Sequence, residues 1–141
     1  MIAILMGSES DRPVMQTGID WAATMQIEYE IRVLSVHRDP DAVRDYCLSA
    51  KSRGIKIIIA AAGGSAHLPG MCRAWFQGPV IAVPIAIGPL QGLDAVLANL
   101  LMPTGVPVAV VGINASKNAV ILARDILLIG GKHELRKISR N

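Results

Sequence analysis

Aromatic and charged residues are scarce in this 141-residue chain, and their scarcity argues against a nucleic-acid-binding protein. The chain has one Phe, two Tyr and two Trp, and Asp, Glu, Lys and Arg together make up 18% of it. Proteins that bind single-stranded nucleic acid stack bases on aromatic side chains and attract the backbone with basic grooves. A formal net charge of +3 with so few aromatic residues gives no such signal, so we expect no nucleic-acid partner.

Cysteine is equally sparse, and no apolar run is long enough for a membrane. Cys47 and Cys72 are too few for a disulfide framework and lack the spacing of metal ligands. We therefore expect two buried or incidental free thiols and a cytoplasmic protein. The apolar stretch at residues 79–90 is interrupted by Pro84 and Gly88, well short of the roughly 20 residues that a membrane helix needs. We expect no membrane association.

Aliphatic residues dominate instead, and they alternate between strand-like and helix-like segments. Hydrophobic residues make up 52% of the chain. Buried strands are predicted at 2–6, 28–35, 55–61, 80–83 and 106–111. Helices are predicted from Pro13 to 26, from Pro40 to Gly54, up to 76, at 93–101 and at 118–129. This alternation predicts an α/β fold, a three-layer α/β/α sandwich whose flavodoxin-like, five-stranded parallel sheet has the order 2-1-3-4-5.

We expect one domain over residues 1–141, with about the last 12 residues forming a C-terminal tail whose basic side chains belong to a solvated helix end. A domain of this size cannot bury so many aliphatic side chains in its own core. Because obligate interfaces resemble a domain core cut in half, part of it is expected to lie between subunits of a homo-oligomer.

Three polar segments follow predicted strands at the point where each strand ends. They are Gly-Ser-Glu-Ser-Asp at 7–11, Ser-Val-His-Arg-Asp-Pro at 35–40 and Ala-Gly-Gly-Ser-Ala-His-Leu-Pro-Gly at 62–70. In an open parallel sheet, ligands bind outside the carboxyl ends of the strands. With strands two, one and three side by side, the three segments are expected to meet in one pocket.

The first segment suits a phosphate and a ribose. Gly7 lets the backbone pass close to a ligand, while Ser8, Ser10 and Asp11 offer hydroxyl donors and a carboxylate acceptor at the start of a helix. The segment is neither a Gly-x-Gly-x-x-Gly motif nor a Walker loop. A capped turn between strand and helix would explain the same residues.

The second and third segments supply candidates for acid–base chemistry and for ligand contact. Arg38 can hold a phosphate with two hydrogen bonds, and His37 changes charge near neutral pH, which suits a general acid or base. In the third segment, Gly64 can expose its backbone N–H to a ligand, and His67 would face the same cavity. The alternatives are a structural histidine and a tight turn with an exposed histidine.

In order and spacing, these segments resemble the 5-(carboxyamino)imidazole ribonucleotide mutase family, bacterial-type enzymes of purine biosynthesis that are also called the catalytic subunit of phosphoribosylaminoimidazole carboxylase. The resemblance spans nearly the whole chain. It rests on the residues at 6–11, 35–40 and 63–71, and further on those at 79–84, 92–94, 102–107 and 118–119.

The resemblance implies an isomerase that moves the carboxylate from the exocyclic nitrogen of the substrate to carbon 4 of the same imidazole ring. The product would be 4-carboxy-5-aminoimidazole ribonucleotide. No metal and no cofactor are implied, and similar proteins assemble as octamers. By the same resemblance His37 is the general acid/base and His67 supports it, close to the carbon dioxide and the carboxylate.

The resemblance also assigns the substrate contacts. Arg38 and Ser10 would bind the phosphate and Asp11 the ribose hydroxyls. The further expected substrate contacts are Ser8, Ser35, Gly64 and Ser65. Family members usually carry Ala, Thr and Ala where this chain has Val36, Asp39 and Ser65.

Three alternatives to the mutase stay open at this point. A direct aminoimidazole ribonucleotide carboxylase would typically have Lys in place of Arg38 and would lack the Gly-Gly-x-Ala-His string. A related carboxylase domain acts on a nicotinic-acid mononucleotide. A catalytically silent nucleotide-binding module would use the same fold without needing His37.

Overall fold

The sheet has the predicted order and direction. The computed structural model describes residues 1–130, and these form five parallel strands in the order β2-β1-β3-β4-β5. The strands are β1 (Ile2–Met6), β2 (Tyr29–Val33), β3 (Ile57–Gly63), β4 (Val80–Ile85) and β5 (Ala109–Val110). The predicted C-terminal tail beyond Gly130, with its basic side chains, lies outside the described residues.

Helices cover both faces of this sheet, which confirms the predicted three-layer sandwich. They are α1 (Arg12–Thr24), α2 (Pro40–Ala50), α3 (His67–Trp75), α4 (Leu93–Leu100) and α5 (Ser116–Gly130), with a short 3-10 turn at Glu9–Asp11. One core lies between the sheet and helices α1 and α5, and the other between the sheet and helices α2, α3 and α4. None of the helices within residues 1–130 combines the length and the apolar character needed to cross a membrane.

The central strand β1 shows why the two cores form. Ile2, Ile4 and Met6 belong to the core under α1 and α5, whereas Ala3 and Leu5 belong to the opposite core. Successive side chains of a strand point to opposite faces, so a strand covered on both faces must be apolar throughout. All five side chains are fully buried.

The structure moves some of the predicted boundaries, above all at β5. The prediction placed this strand at 106–111, but pairing with β4 covers Ala109–Val110 alone in the described chain. Pro107 has no N–H to donate to a ladder, and the Val106 N–H turns back to the carbonyl of Pro103 at 3.2 Å. The edge strand is therefore much shorter than its apolar sequence indicates.

Proline and a capping aspartate mark the starts of helices α1 and α2. Pro13 lies in the first turn of α1, as predicted, and Asp39 accepts the Ala42 N–H at 3.0 Å ahead of Pro40. Helix α2 ends at Ala50, earlier than predicted, and Gly54 closes the following turn with a φ of +85°.

Both cysteines are free and buried, as predicted. Cys47 on α2 and Cys72 on α3 lie in the same core and hydrogen bond to each other. The contact with Cys47, together with burial, holds the pKa of the Cys72 thiol well above its usual range. The Cys72 thiol is therefore not prepared to act as a nucleophile.

Candidate active site

The three polar segments meet in one cavity at the carboxyl ends of strands β1, β2 and β3. Its volume is about 370 Å³. Its walls are formed by Gly7, Ser8, Ser10 and Asp11 from the first segment, Ser35, Val36, His37 and Arg38 from the second, Ala62, Gly63, Ala66, His67 and Leu68 from the third, and Ile87 after β4. The convergence expected from the strand order is confirmed by this arrangement.

The structure brings most of the predicted site residues together, but not Gly64 and Ser65. Both lie between Gly63 and Ala66, which line the cavity, but neither of them lines it. Gly64 has a φ of +60° and turns the chain there, and Ser65 is exposed. Their contact with a ligand stays a prediction.

Ile87 is the lining residue that the sequence analysis missed. It follows β4, whose carboxyl end lies at the same edge of the sheet, and it is 46% exposed. The signal in the sequence was a large apolar residue soon after the end of a predicted strand, whereas the site was predicted from polar side chains alone.

The first segment is both a capped turn and a cavity wall, so its two interpretations describe the same structure. Ser8 caps the 3-10 turn: its Oγ accepts the Ser10 N–H at 3.3 Å and the Ser10 hydroxyl at 2.8 Å. In return, Oδ2 of Asp11 accepts the Ser8 N–H at 3.1 Å, which completes a capping box. The Ser10 hydroxyl and the Asp11 carboxylate lie where a ligand would bind.

Asp11 is the charged group that the cavity buries most deeply, at 5% exposed. Burial raises the pKa of its carboxyl, while the backbone N–H groups of Ser8 and Gly7 act in the opposite direction. A buried carboxylate at the wall of a cleft is typical of a ligand-binding position.

His37 and His67 lie in direct contact across the cavity. Nε2 of His37 is 2.6 Å from Nδ1 of His67, and the two rings meet edge to face at 76° with their centroids 4.9 Å apart. One of these nitrogens must carry the proton that the other accepts. The pair therefore holds complementary protonation states on the two facing nitrogens.

Tight local turns bring both histidines to this position. The N–H groups of Arg38 and Asp39 both donate to the carbonyl of Ser35, at 3.2 and 2.9 Å, which folds the second segment back on itself. His67 is the first residue of α3 and follows Ala66, whose φ of +45° is left-handed.

Asp39 is directed to the helix and away from the cavity. It is absent from the cavity wall, and its Oδ1 caps α2 through the Ala42 N–H. Arg38 next to it does line the cavity. An anion at Arg38 would therefore not meet the carboxylate of Asp39 in the cavity wall.

The fold and the cavity define a class of protein: a flavodoxin-like α/β protein with a polar cleft at the carboxyl edge of its sheet and two histidines in contact within it. Within residues 1–130, no three His, Cys, Asp or Glu side chains gather as metal ligands.

The comparisons with known proteins agree with this class and narrow it. The family model described as AIR carboxylase matches residues 1–141. The chain belongs to this family, which confirms the resemblance inferred from its three polar segments.

Named relatives cover most of the chain at high identity. An N5-carboxyaminoimidazole ribonucleotide mutase of Pyrococcus abyssi is 48% identical over 91% of this chain and 74% of its own. The mutase of Thermotoga maritima is 47% identical over 97% of this chain and 80% of its own. The crystal structure of Treponema denticola PurE is 32% identical, with a TM-score of 0.83, and the match covers 93% of this chain and 82% of that one.

Proposed function

We propose that the chain is an N5-carboxyaminoimidazole ribonucleotide mutase, an isomerase of de novo purine (IMP) biosynthesis contained in a single domain. It converts its substrate to 4-carboxy-5-aminoimidazole ribonucleotide. The observation that carries the proposal is the contact between His37 and His67 in a cavity that also presents Arg38 and Asp11. Relatives with the mutase name, 48% and 47% identical, support the same substrate.

The cavity walls match the parts of a ribonucleotide. Arg38 and the Ser10 hydroxyl bind the phosphate, because a guanidinium and a hydroxyl both donate to its oxygens. The carboxylate of Asp11 accepts from the ribose hydroxyls. Ser8 and Ser35 line the same walls. Gly64 and Ser65 lie between the lining residues Gly63 and Ala66, and in the proposal they contact the substrate from there.

The reaction needs one proton to be given and one to be taken back. As the bond between the exocyclic nitrogen and the carboxylate breaks, protonated His37 gives its proton to that nitrogen and carbon dioxide is released. Carbon 4 of the ring then attacks the trapped carbon dioxide, and His37 removes the proton from carbon 4. The histidine returns to its starting state, so the isomerisation consumes no other reagent.

The cavity must keep the carbon dioxide beside carbon 4 between these two steps. Leu68, Ala62 and Ile87 provide apolar walls close to the histidines. A gas held in contact with its acceptor reacts at a far higher effective concentration than the same gas in solution. His67 supports this step by holding the ring of His37 and by fixing which nitrogen carries the proton.

A direct carboxylase that fixes free carbon dioxide is the alternative that turnover can test. Purified protein is given the carboxyamino ribonucleotide, and separately aminoimidazole ribonucleotide with bicarbonate. The proposal expects efficient conversion of the first substrate. It is overturned if the second is converted much faster, or if neither is converted.

Two variants separate catalysis from binding in this experiment. His37→Asn is expected to lose turnover by at least about a hundredfold, because the acid–base group is gone, while ligand affinity stays close to wild type. Arg38→Lys keeps the charge but loses the paired hydrogen bonds, so it should raise KM more than it lowers kcat. A His37→Asn enzyme with normal turnover would refute the assigned role.

We also infer a cytoplasmic homo-oligomer, an octamer by analogy with similar proteins, which acts on a small molecule and binds neither nucleic acid nor a membrane. A row of exposed leucines on and around α4 supports the assembly into an oligomer. Leu93 is 52% exposed, Leu97 48%, Leu100 60% and Leu101 78%. Contiguous apolar surface of this kind marks protein interfaces. Light scattering of the wild type and Leu97→Glu measures the assembly, and two monomeric samples would contradict it.

A further inference from the structure

Asn114 joins the segment that precedes α5 to the end of β4. Its backbone N–H donates to the carbonyl of Pro84 at 2.8 Å, and its side-chain Oδ1 accepts the N–H of Ala86 at 2.9 Å. Its φ of +58° is left-handed, a conformation that Asn adopts more readily than most residues. One residue thus binds two positions of the chain, one in β4 and one directly after it.

The segment that Asn114 holds carries the apolar wall of the cavity. Ile87 follows Ala86 directly and lines the cavity. It packs so closely on the third polar segment that a Cβ built on Gly63 would lie 2.6 Å from its Cδ1 and Cγ1. The position of Ile87 relative to the third polar segment is therefore set by where the backbone leaves β4.

The segment at residues 86–92 is contacted at its other end by Ile113, the residue before Asn114. Gly92, with a φ of +89°, lies against Ile113, since a Cβ on Gly92 would lie 3.0 Å from its Cγ2. Between the two ends, the Gln91 side chain donates to the carbonyl of Gly88 at 2.6 Å. The segment is braced internally and fixed at both ends by residues 113 and 114.

We propose that Asn114 is a positioning residue for the mutase reaction, because its side-chain oxygen fixes Ala86 and thereby places the Ile87 wall that retains carbon dioxide. Asn114 is absent from the cavity wall, so it acts through Ala86 and Ile87. This role rests on the proposed function, since it concerns the gas released in that reaction.

Two substitutions separate the side-chain oxygen from the backbone conformation. Asn114→Gly tolerates the left-handed φ but has no acceptor for the Ala86 N–H, whereas Asn114→Asp keeps the acceptor and also tolerates the conformation. The glycine variant is expected to lose about ten- to a hundredfold in kcat/KM, mainly through kcat, and the aspartate variant to stay near wild type. Thermal unfolding of both variants controls for general instability.

Escape of carbon dioxide gives a second readout that a purely structural role would not move. With ¹³C-bicarbonate in the buffer, the glycine variant should place more label in the product per turnover than the wild type. Amide hydrogen exchange at residues 86–91 should also be faster in the glycine variant than in the aspartate variant. Equal exchange, equal labelling or equal kcat/KM in the two variants would overturn the proposal.

The exchange measurement needs no substrate, so it distinguishes the two possible failures. A wild type without mutase turnover refutes the proposed function whatever the exchange rates are, and the catalytic role of Asn114 falls with it. An active wild type with identical glycine and aspartate variants refutes the role of Asn114 alone.

Discussion

Nε2 of His37 and Nδ1 of His67 are 2.6 Å apart although the two residues lie 30 positions apart in the chain. The contact means that a proton can be shared between the two rings without a movement of the backbone. It therefore ties the second polar segment to the third at the place where the proposed chemistry occurs.

His67→Asn tests this coupling. The amide can still hydrogen bond to His37 but cannot become a cation, so we expect kcat to fall by about ten- to a hundredfold with KM little changed. The pH profile of kcat should change as well, because the variant lacks one of the two imidazole rings that are in contact in the cavity. The measurement is steady-state turnover from pH 5.5 to 9, and an unchanged profile would show that the two rings act independently.

Gly63→Ala is expected to damage the cavity wall. A Cβ at this position would lie 2.6 Å from Ile87 and 2.9 Å from the carbonyl oxygen of Ile85, and the second contact cannot be relieved by a rotamer change. We expect about 1–3 kcal/mol of lost stability and a larger loss of activity, since the displaced wall borders the histidines. Thermal unfolding and turnover measure the two effects.

Gly54→Ala is the control for that substitution. Gly54 has a left-handed φ of +85°, but no atom of residues 1–130 lies within 4 Å of the position of a Cβ, and Gly54 is absent from the cavity wall. It should lose some stability through backbone strain while turnover is retained. Equal activity losses in the two glycine variants would contradict the steric explanation.

Asp11→Asn should change how stability depends on pH. Because the pKa of Asp11 is raised in the folded protein, the folded state holds this proton more tightly than the unfolded state does. The contribution of Asp11 to stability is therefore full below its ordinary pKa and is lost as pH rises through its raised value. The free energy of unfolding of the asparagine variant minus that of the wild type should therefore be larger at pH 7 than at pH 4. Urea unfolding at both pH values measures the difference, and a constant difference would contradict the burial of a charged group.

Ser116→Ala should loosen the contact between α1 and α5. The Ser116 hydroxyl donates to the carbonyl of Val14 at 2.7 Å and accepts the Gly18 N–H at 3.2 Å, in a fully buried position. Its removal takes one hydrogen-bond partner from each of these two buried backbone groups, which costs about 1–3 kcal/mol. Urea unfolding measures this cost, with Ser52→Ala on the exposed turn after α2 as the control. A loss no larger than that of the control would refute the role.

The predictable part of the fold is the part that local chemistry determines. Strand β1 is apolar without interruption, and Asp39 followed by Pro40 marks a helix start, so both were predicted at the right residues. The segment at 106–111 is equally apolar but lies at the sheet edge, where Pro107 limits pairing. Edge or centre is a property of the sheet and cannot be read from one strand.

The candidate site was predictable for the same reason, but its prediction was incomplete in a different way. Strand order alone brought His37, His67 and Arg38 to one cavity. It could not distinguish Gly63 from Gly64 in the third segment, because a left-handed turn at the second glycine decides which of them lines the cavity. Nor could polar motifs identify Ile87, whose contribution is its shape.

The cavity draws its described walls from residues 7–68, with Ile87 as the exception. Genetic variation should therefore be tolerated unevenly along the chain. A library of variants restricted to the exposed positions of α4, such as Leu97 and Leu100, can alter how copies associate and how long the enzyme survives heating while every reacting group stays in place. Asn114 and Ser116 are left out of such a library because they hold the cavity wall and the packing of α1 on α5. The outer face of α4 is accordingly the part of this chain that an engineer can rewrite to adapt the enzyme to a new environment.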